Sequence, residues 1–233
     1  MRPSWESLAE RFPGNYTILL ALMLAFILIP PFFEANAEHN SIIIPLLLSL
    51  VLLGTLKVFT RNRRELTIGL ALALPALIGR WAIMITGNRA LLIIFSIAWV
   101  LFLALAVTFI VHSVLTARRI TYDTISGALC GYLLFGLMCS FIFVLIEMFY
   151  PGSYQSSTIT LKFSGHPGEI HQQIITFIYF SLVTLASVGF GDIIPTSPPA
   201  RAVAAVEGIA GQFYIAVLIA RLVSLHSSRW GGE

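Results

Sequence analysis

The chain has 233 residues, of which 58% are hydrophobic and 11% are charged, and its mean hydropathy is +0.89. This composition is typical of a polytopic membrane protein and excludes an ordinary soluble domain. The formal net charge is +3, which is small, so the positions of the basic residues are more informative than their sum. We expect no nucleic-acid partner.

Residues 1–15 are predicted to form a short helix that lies in the membrane interface. Ser4 can cap this helix, Trp5 and Phe12 fall on one apolar face, and Pro13 ends it. A frayed tail is the alternative interpretation.

Six apolar stretches that follow are predicted to span the membrane as helices. They cover about residues 16–33, 41–59, 66–86, 90–116, 124–150 and 200–226. After the first stretch, Ala35-Asn36-Ala37 resembles a signal-peptidase site, so cleavage there is an alternative that leaves the later topology unchanged. The pattern predicts an all-α membrane protein.

A further apolar run, residues 174–186, is too short to cross a bilayer and leads into a segment with alternating glycines. Non-helical backbone at membrane depth is tolerated only where protein buries it or where it lines a water-filled path. We therefore predict a re-entrant loop. Gly189 and Gly191 permit backbone angles that let successive carbonyl oxygens turn to one side. Such oxygens can replace the hydration shell of a monovalent cation, and a closed ring of them needs several copies of the chain.

The stretch S-V-G-F-G-D at residues 187–192 resembles the T-V-G-Y-G-D signature of potassium channels, with Ser in place of Thr and Phe in place of Tyr. The same two variants occur together in the ether-à-go-go-related branch of that superfamily. The resemblance implies a homotetramer whose filter binds K+ through oxygens of Ser187, Val188, Gly189, Phe190 and Gly191. Because Phe190 has no phenol hydroxyl, we expect one hydrogen bond behind the filter to be missing. A glycine-rich turn in another kind of membrane protein is the alternative.

The basic residues predict the orientation, because cytoplasmic loops are enriched in Lys and Arg. With the N-terminus inside, ten of the fourteen basic residues lie on the inner side and four lie on the outer side or outer half. Residues 151–171 then form an extracellular turret. Both termini are expected to be cytoplasmic, in the plasma membrane of a prokaryote. Anionic lipids are expected partners of the inner-side residues Arg61, Arg63, Arg64, Arg118 and Arg119.

The first four spans, within residues 16–119, occupy the place of a voltage sensor in six-span channels. Such sensors need repeated arginines in the fourth helix to carry gating charge. Residues 90–116 contain no Arg or Lys. Arg80, in the outer part of the third span, can reach the interface with its long side chain. We therefore predict a four-helix domain that does not sense voltage.

Residues 120–233 are predicted to form the pore domain. Tyr179 lies thirteen positions before Asp192, where related pores place an aromatic residue that hydrogen-bonds the aspartate at the end of the filter. Simple aromatic packing of Tyr179 is the alternative. Thr184 is a further candidate for supporting the filter, and Gly211 lies where the family has a hinge glycine.

The sixth span also carries a candidate gate and an acidic residue. By helical spacing, one face that the resemblance turns toward the pore contains Gln212, Ile215, Ile219 and Val223. This face could close the path by dewetting, or it could pack against the fifth span. Glu207 is costly in an apolar helix unless it is paired or protonated. We predict a bond from Glu207 to Ser181 or Thr184, with a cation site in the cavity as the alternative.

Other reactive side chains carry weaker signals. Cys130 and Cys139 are nine positions apart in one apolar run, on opposite helix faces, so we interpret them as buried thiols without a disulfide. His166 and His171 are a weak candidate for a metal site. The sequence contains no nucleophile–base–acid set, so we expect no enzymatic activity and no cofactor apart from the permeant K+.

These features together predict a potassium-selective channel that conducts K+ passively. A weakly selective monovalent cation channel would have the same fold with a looser filter. A coupled cation transporter belongs to a different class and should show internal repeats and paired intramembrane carboxylates. The sequence contains neither feature.

Overall fold

The computed structural model describes residues 14–33, 37–59, 63–86, 88–117, 121–156 and 167–227. The interfacial helix predicted at residues 1–15 therefore lies outside the described residues except at its last two positions. Other predictions also concern residues or side chains outside the description. They are those for the signal-peptidase-like residues 35–36, for turret residues 157–166, and for Arg61, Arg63, Arg64, Arg80, Arg118, Arg119, His166 and His171.

The described chain is mostly helical, as predicted. The helices are α1 (Asn15–Leu28), α2 (Ala37–Phe59), α3 (Arg63–Thr86), α4 (Arg89–Thr116), α5 (Tyr122–Phe149), α6 (Pro167–Leu185) and α7 (Pro198–Ser227), with a 3-10 turn at Pro30–Phe33. Two short strands, β1 (Tyr154–Ser156) and β2 (Ile193–Pro195), were not predicted from the sequence. They pair in antiparallel fashion, with Tyr154 opposite Pro195 and Ser156 opposite Ile193.

Local sequence explains where several helices begin. At the start of α4 the Asn88 side chain accepts a hydrogen bond from the Ala90 amide at 2.9 Å, and at the start of α5 Thr121 accepts one from Thr124 at 3.1 Å. Both are N-cap bonds, which satisfy amides that have no partner within the helix. Pro30, two residues beyond α1, cannot continue the helix because it lacks an amide hydrogen.

Asp123, in the first turn of α5, fastens α5 to the start of α1. Its Oδ1 accepts hydrogen bonds from the amides of Tyr16 and Thr17 at 3.1 and 3.2 Å. These amides lie in the first turn of α1, where no helical carbonyl is available to them. One carboxylate therefore caps a helix more than 100 residues away in the sequence.

Three of the described helices are long and apolar enough to cross a membrane, namely those at Ala90–Thr116, Tyr122–Phe149 and Pro198–Arg221. The other apolar helical stretches in the described ranges are shorter, at Tyr16–Leu28, Ile43–Phe59, Glu65–Gly79 and Gln172–Leu185. The chain is thus a membrane protein by its helix lengths and composition. The fourth of the shorter stretches corresponds to the run that the sequence analysis interpreted as too short to cross.

Aromatic side chains form the core between α2, α4 and α5. The ring of Trp99 stacks on that of Phe141 with centroids 5.3 Å apart, and Phe95 meets Phe141 edge-on at 5.6 Å. Phe59 of α2 meets Phe102 of α4 edge-on at 6.2 Å. Inside a bilayer such packing, and not the removal of water, drives helix association. α5 also contacts α6 and α7, so it joins the first four helices to the C-terminal part of the chain.

Candidate functional site

The segment between α6 and β2 has an alternating backbone. Ser187, Gly189 and Gly191 have φ angles of 57°, 55° and 78°, whereas Val188 and Phe190 between them do not have positive φ. Ser187 is the single non-glycine residue with positive φ among the described residues. An L-residue pays roughly 1–2 kcal/mol for this conformation, so its neighbours must hold Ser187 in place.

The two glycines of this segment are required by their backbone angles and not by crowding. A Cβ built on Gly189 or Gly191 would meet no atom within 4 Å. The side chains between them also have open surroundings, since Val188 is 52% and Phe190 is 70% exposed in the isolated chain. The segment is therefore held at its two ends.

The inner end of the segment is held by the last turn of α6. The Ser187 amide donates to the carbonyl of Thr184 at 2.9 Å, and the Val188 amide donates to that of Val183 at 3.0 Å. In addition, the side-chain Nε2 of Gln212 on α7 donates to the Ser187 hydroxyl at 2.9 Å. Sequence analysis assigned Gln212 to a pore-facing stripe and missed this bond, because the two residues are 25 positions apart.

Gly211 brings α7 against the end of α6. A Cβ on Gly211 would overlap the carbonyl oxygen of Leu185 and would lie 2.9 Å from its Cδ1. The same carbonyl accepts a hydrogen bond from the Tyr132 hydroxyl of α5 at 3.1 Å. Sequence analysis identified Gly211 as a hinge position. In the structure its lack of a side chain permits a close approach between two backbones.

Glu207 lies one turn before Gly211 and points at the same part of α6. It is 1% exposed, and one carboxyl oxygen forms a short hydrogen bond with the Ser181 hydroxyl. Of the two partners that the sequence suggested, Ser181 is the one observed. The alternative, a cation site in the cavity, stays a prediction, and the burial of the carboxyl group does not favour it.

The other members of the stripe that the sequence predicts to face a pore are exposed in the isolated chain. Ile215, Ile219 and Val223 are 39%, 55% and 61% exposed. This exposure does not favour packing of the whole stripe against α5, which was the other interpretation. Most of α7 is exposed as well. In its most apolar stretch 17% of the residues are buried, compared with 44% in α4 and 56% in α5.

The outer end of the segment is held by the strand pair and by Glu147. The Glu147 carboxylate accepts hydrogen bonds from the amides of Gly152 at 2.7 Å and Tyr154 at 3.2 Å. Burial, followed by the negative charge of Glu147, raises the pKa of the Tyr154 phenol above its ordinary value. The Thr196 hydroxyl, just after β2, donates to the carbonyl of Gly152 at 2.7 Å. An acid at the end of an apolar helix before a Pro-Gly turn was the signal that sequence analysis overlooked.

Asp192 lies between the segment and β2. Its side chain lies close to the phenol of Tyr179 on α6, which is 39% exposed. Thr184, the third candidate for support, contributes its backbone carbonyl to Ser187. The structure thus brings Tyr179, Thr184 and Asp192 to the two ends of the segment.

The cysteines and the described acidic and histidine residues offer no metal site. Cys130 and Cys139 are both buried free thiols. Within the described ranges no group of three or more His, Cys, Asp or Glu side chains could hold a metal ion.

Comparison with known proteins agrees with this geometry. Residues 152–227 match a family model described as an ion channel, and this range contains β1, α6, the alternating segment, β2 and all of α7. The match supports an ion channel and not an enzyme. No curated protein and no solved structure matches the chain.

Proposed function

We propose that this chain is one subunit of a homotetrameric channel that conducts K+ passively and selectively. The observation that carries the proposal is the alternation of positive φ at Ser187, Gly189 and Gly191. A backbone of this kind lets consecutive carbonyl oxygens line one side of a strand, where they can replace the water around a dehydrated cation.

A single strand cannot surround an ion, so the proposal includes assembly of four copies around a central path. The exposure of the alternating segment and of one face of α7 supports this step, because a neighbouring copy would cover them. The stripe of Gln212, Ile215, Ile219 and Val223 would then face the path below the filter. Its three aliphatic side chains would form the inner gate.

The C-terminal end of α6 also suits a cation path. Helix carbonyls at a C-terminus carry a partial negative charge, and in the proposed assembly four such ends would point toward the inner end of the filter. Residues 120–233 are the proposed pore domain, with α6 as the re-entrant helix. Residues 16–119 are the proposed four-helix domain, which carries no gating arginines and leaves conduction insensitive to voltage. Both termini would be cytoplasmic in a plasma membrane, with anionic lipids near the inner-side arginines.

A weakly selective monovalent cation channel is the second candidate, favoured by one observation at Phe190. This side chain has no hydroxyl with which to fasten the strand, and it is 70% exposed in the isolated chain. A filter with fewer restraints would be wider or more mobile and would discriminate less between K+ and Na+.

Planar-bilayer recording from the purified full chain tests the proposal. With K+ on one side and Na+ on the other, we expect a reversal potential close to that of a K+ electrode. Gly189→Ala should abolish the K+ current, because alanine disfavours positive φ by roughly 1–2 kcal/mol in each of four strands.

Gly152→Ala is the matched control for this substitution. Gly152 also has positive φ, at 84°, and open surroundings, but it lies in the turn before β1. Alanine keeps the amide and the carbonyl through which Gly152 bonds Glu147 and Thr196, so this variant should retain the current. A wild-type reversal potential midway between those of the two ions would favour the weakly selective channel. An absence of current from correctly assembled protein would refute both.

A further inference from the structure

The contact between Glu207 and Ser181 sets a condition on where hydrogen atoms lie. The Ser181 oxygen is 2.6 Å from the carbonyl oxygen of Gly136 and makes a short contact with Glu207 Oε1. Two oxygen atoms approach this closely only when a hydrogen lies between them, because facing lone pairs repel. The two contacts therefore need two hydrogens. Ser181 supplies one and the carbonyl supplies none.

A neutral carboxyl group on Glu207 can supply the second hydrogen. On the basis of this count, and resting on the channel function proposed above, we infer that Glu207 is a neutral carboxylic acid that donates its proton to Ser181. Ser181 in turn donates to Gly136. The proton thereby links α7, α6 and α5 in one chain of hydrogen bonds, and Glu207 acts as a positioning residue for the end of α6.

The surroundings of Glu207 suit a neutral acid. Its second oxygen, Oε2, is buried and has no hydrogen-bond partner among the described residues. The titratable groups that interact with it are Cys139 and Tyr132 of α5 and Tyr154 of β1, and none of them is a cation. Its neighbour from α6 is the uncharged Ser181. An ionised carboxylate in such a place would be buried without a compensating charge.

Glu147 provides a contrast in the same part of the chain. It is also buried, at 3% exposure, but its two oxygens accept hydrogen bonds from two backbone amides. Amide donors stabilise the ionised form of a carboxylate. The two buried acids therefore differ in their neighbours, because two backbone amides donate to Glu147, whereas the observed partner of Glu207 is the hydroxyl of Ser181.

The position of Glu207 connects its proton to the filter. Ser181 lies one turn before Leu185, whose carbonyl contacts Gly211 and Tyr132. The turn after Leu185 leads directly to Ser187. Without this proton, the Glu207 carboxylate and the Gly136 carbonyl would compete for the single hydrogen of Ser181. The repulsion between them would push α6 away from α5 or α7. We expect K+ conduction to fall as the pH rises.

Infrared spectroscopy of the purified full chain tests the protonation state without depending on channel activity. The wild type should show the C=O stretching band of a protonated buried carboxyl group at neutral pH, shifted in deuterated water. The band should be absent from Glu207→Gln and retained in Glu147→Gln. A wild-type spectrum identical to that of Glu207→Gln would overturn the inference, whether or not the protein conducts K+.

The pH dependence of thermal stability and of K+ flux from liposomes tests the positioning role. An acid that is neutral in the folded protein and ionised in the unfolded chain makes stability fall with rising pH, by up to about tenfold in the unfolding constant per pH unit for each proton. Glu207→Gln keeps a donor to Ser181 and cannot ionise, so it should remain stable and conducting. The fall of thermal stability and of K+ flux with rising pH, called the alkaline decline, should be absent from this variant. Glu147→Gln should keep that decline.

The outcomes separate the two proposals. The same alkaline decline in Glu207→Gln as in the wild type, or loss of stability at every pH, would refute the positioning role. If the infrared band is present in the wild type and absent from Glu207→Gln, but no K+ flux occurs at any pH, the channel function is refuted and the proton on Glu207 is established.

Discussion

The two parts of this chain differ in how fully their side chains are buried by contacts within a single copy. In the first part, helices α1 to α5 bury an aromatic core in which Phe95, Trp99 and Phe141 are each no more than 1% exposed. In the second part, the segment from Val188 to Phe190 and one face of α7 are open. The first part is stabilised by contacts within the chain, whereas the second part has its contacts at the ends of α6, and its centre would be covered only in the proposed assembly. Substitutions should therefore affect stability in one part and conduction in the other.

The largest effect on stability is expected from Trp99→Ala in the first part. Removing this ring leaves a cavity against Phe95 and Phe141 and should lower the free energy of unfolding by about 3–5 kcal/mol. Thermal unfolding in detergent measures this loss. Trp81→Ala on α3, where the ring is 39% exposed, is the matched control and should cost much less. If the Trp99→Ala protein that still folds has altered ion selectivity, packing in α1 to α5 affects conduction and the two parts are not independent.

Gly211→Ala should have the next largest effect, and in the open part. The added methyl group overlaps the Leu185 carbonyl, so α7 must move away from α6 at a cost of about 1–3 kcal/mol. We expect the K+ current to be lost while α1 to α5 remain folded, as circular dichroism and single-channel recording would show.

Gly208→Ala is the control for that substitution, because its Cβ would lie 3.6 Å from the Thr184 carbonyl oxygen, an ordinary contact. It should conduct like the wild type. Equal behaviour of the two alanine variants would argue that Gly211 serves as a hinge and not as a contact position.

The smallest effect is expected from Gln212→Leu, which removes the donor to the Ser187 hydroxyl. One hydrogen bond of this kind contributes about 0.5–1.5 kcal/mol, and without it Ser187 is held in positive φ by backbone bonds alone. We expect shorter openings at low external K+ and little change in the unfolding temperature. Gln172→Leu, at an exposed position of α6, controls for the loss of an amide. Openings as long as those of the wild type would show that backbone bonds alone hold the segment from Ser187 to Gly191.

The sequence by itself determined the features that depend on local chemistry. Long apolar runs predicted the positions of the helices, because helix formation and membrane partition both follow from residues that are close in the chain. The glycines at 189 and 191 predicted an unusual backbone there for the same reason. The separation of Cys130 and Cys139 was enough to exclude a disulfide between them on one helix.

Only the tertiary structure decided which residues support the segment and what they do. Three contacts join residues that are 25 or 26 positions apart: Gln212 with Ser187, Gly211 with Leu185, and Glu207 with Ser181. They cross a turn whose path cannot be predicted from hydropathy. The strand pair was missed because three-residue strands leave almost no periodic signal. The positive φ of Ser187 was missed because serine tolerates it only when contacts from another helix and the preceding turn hold it there.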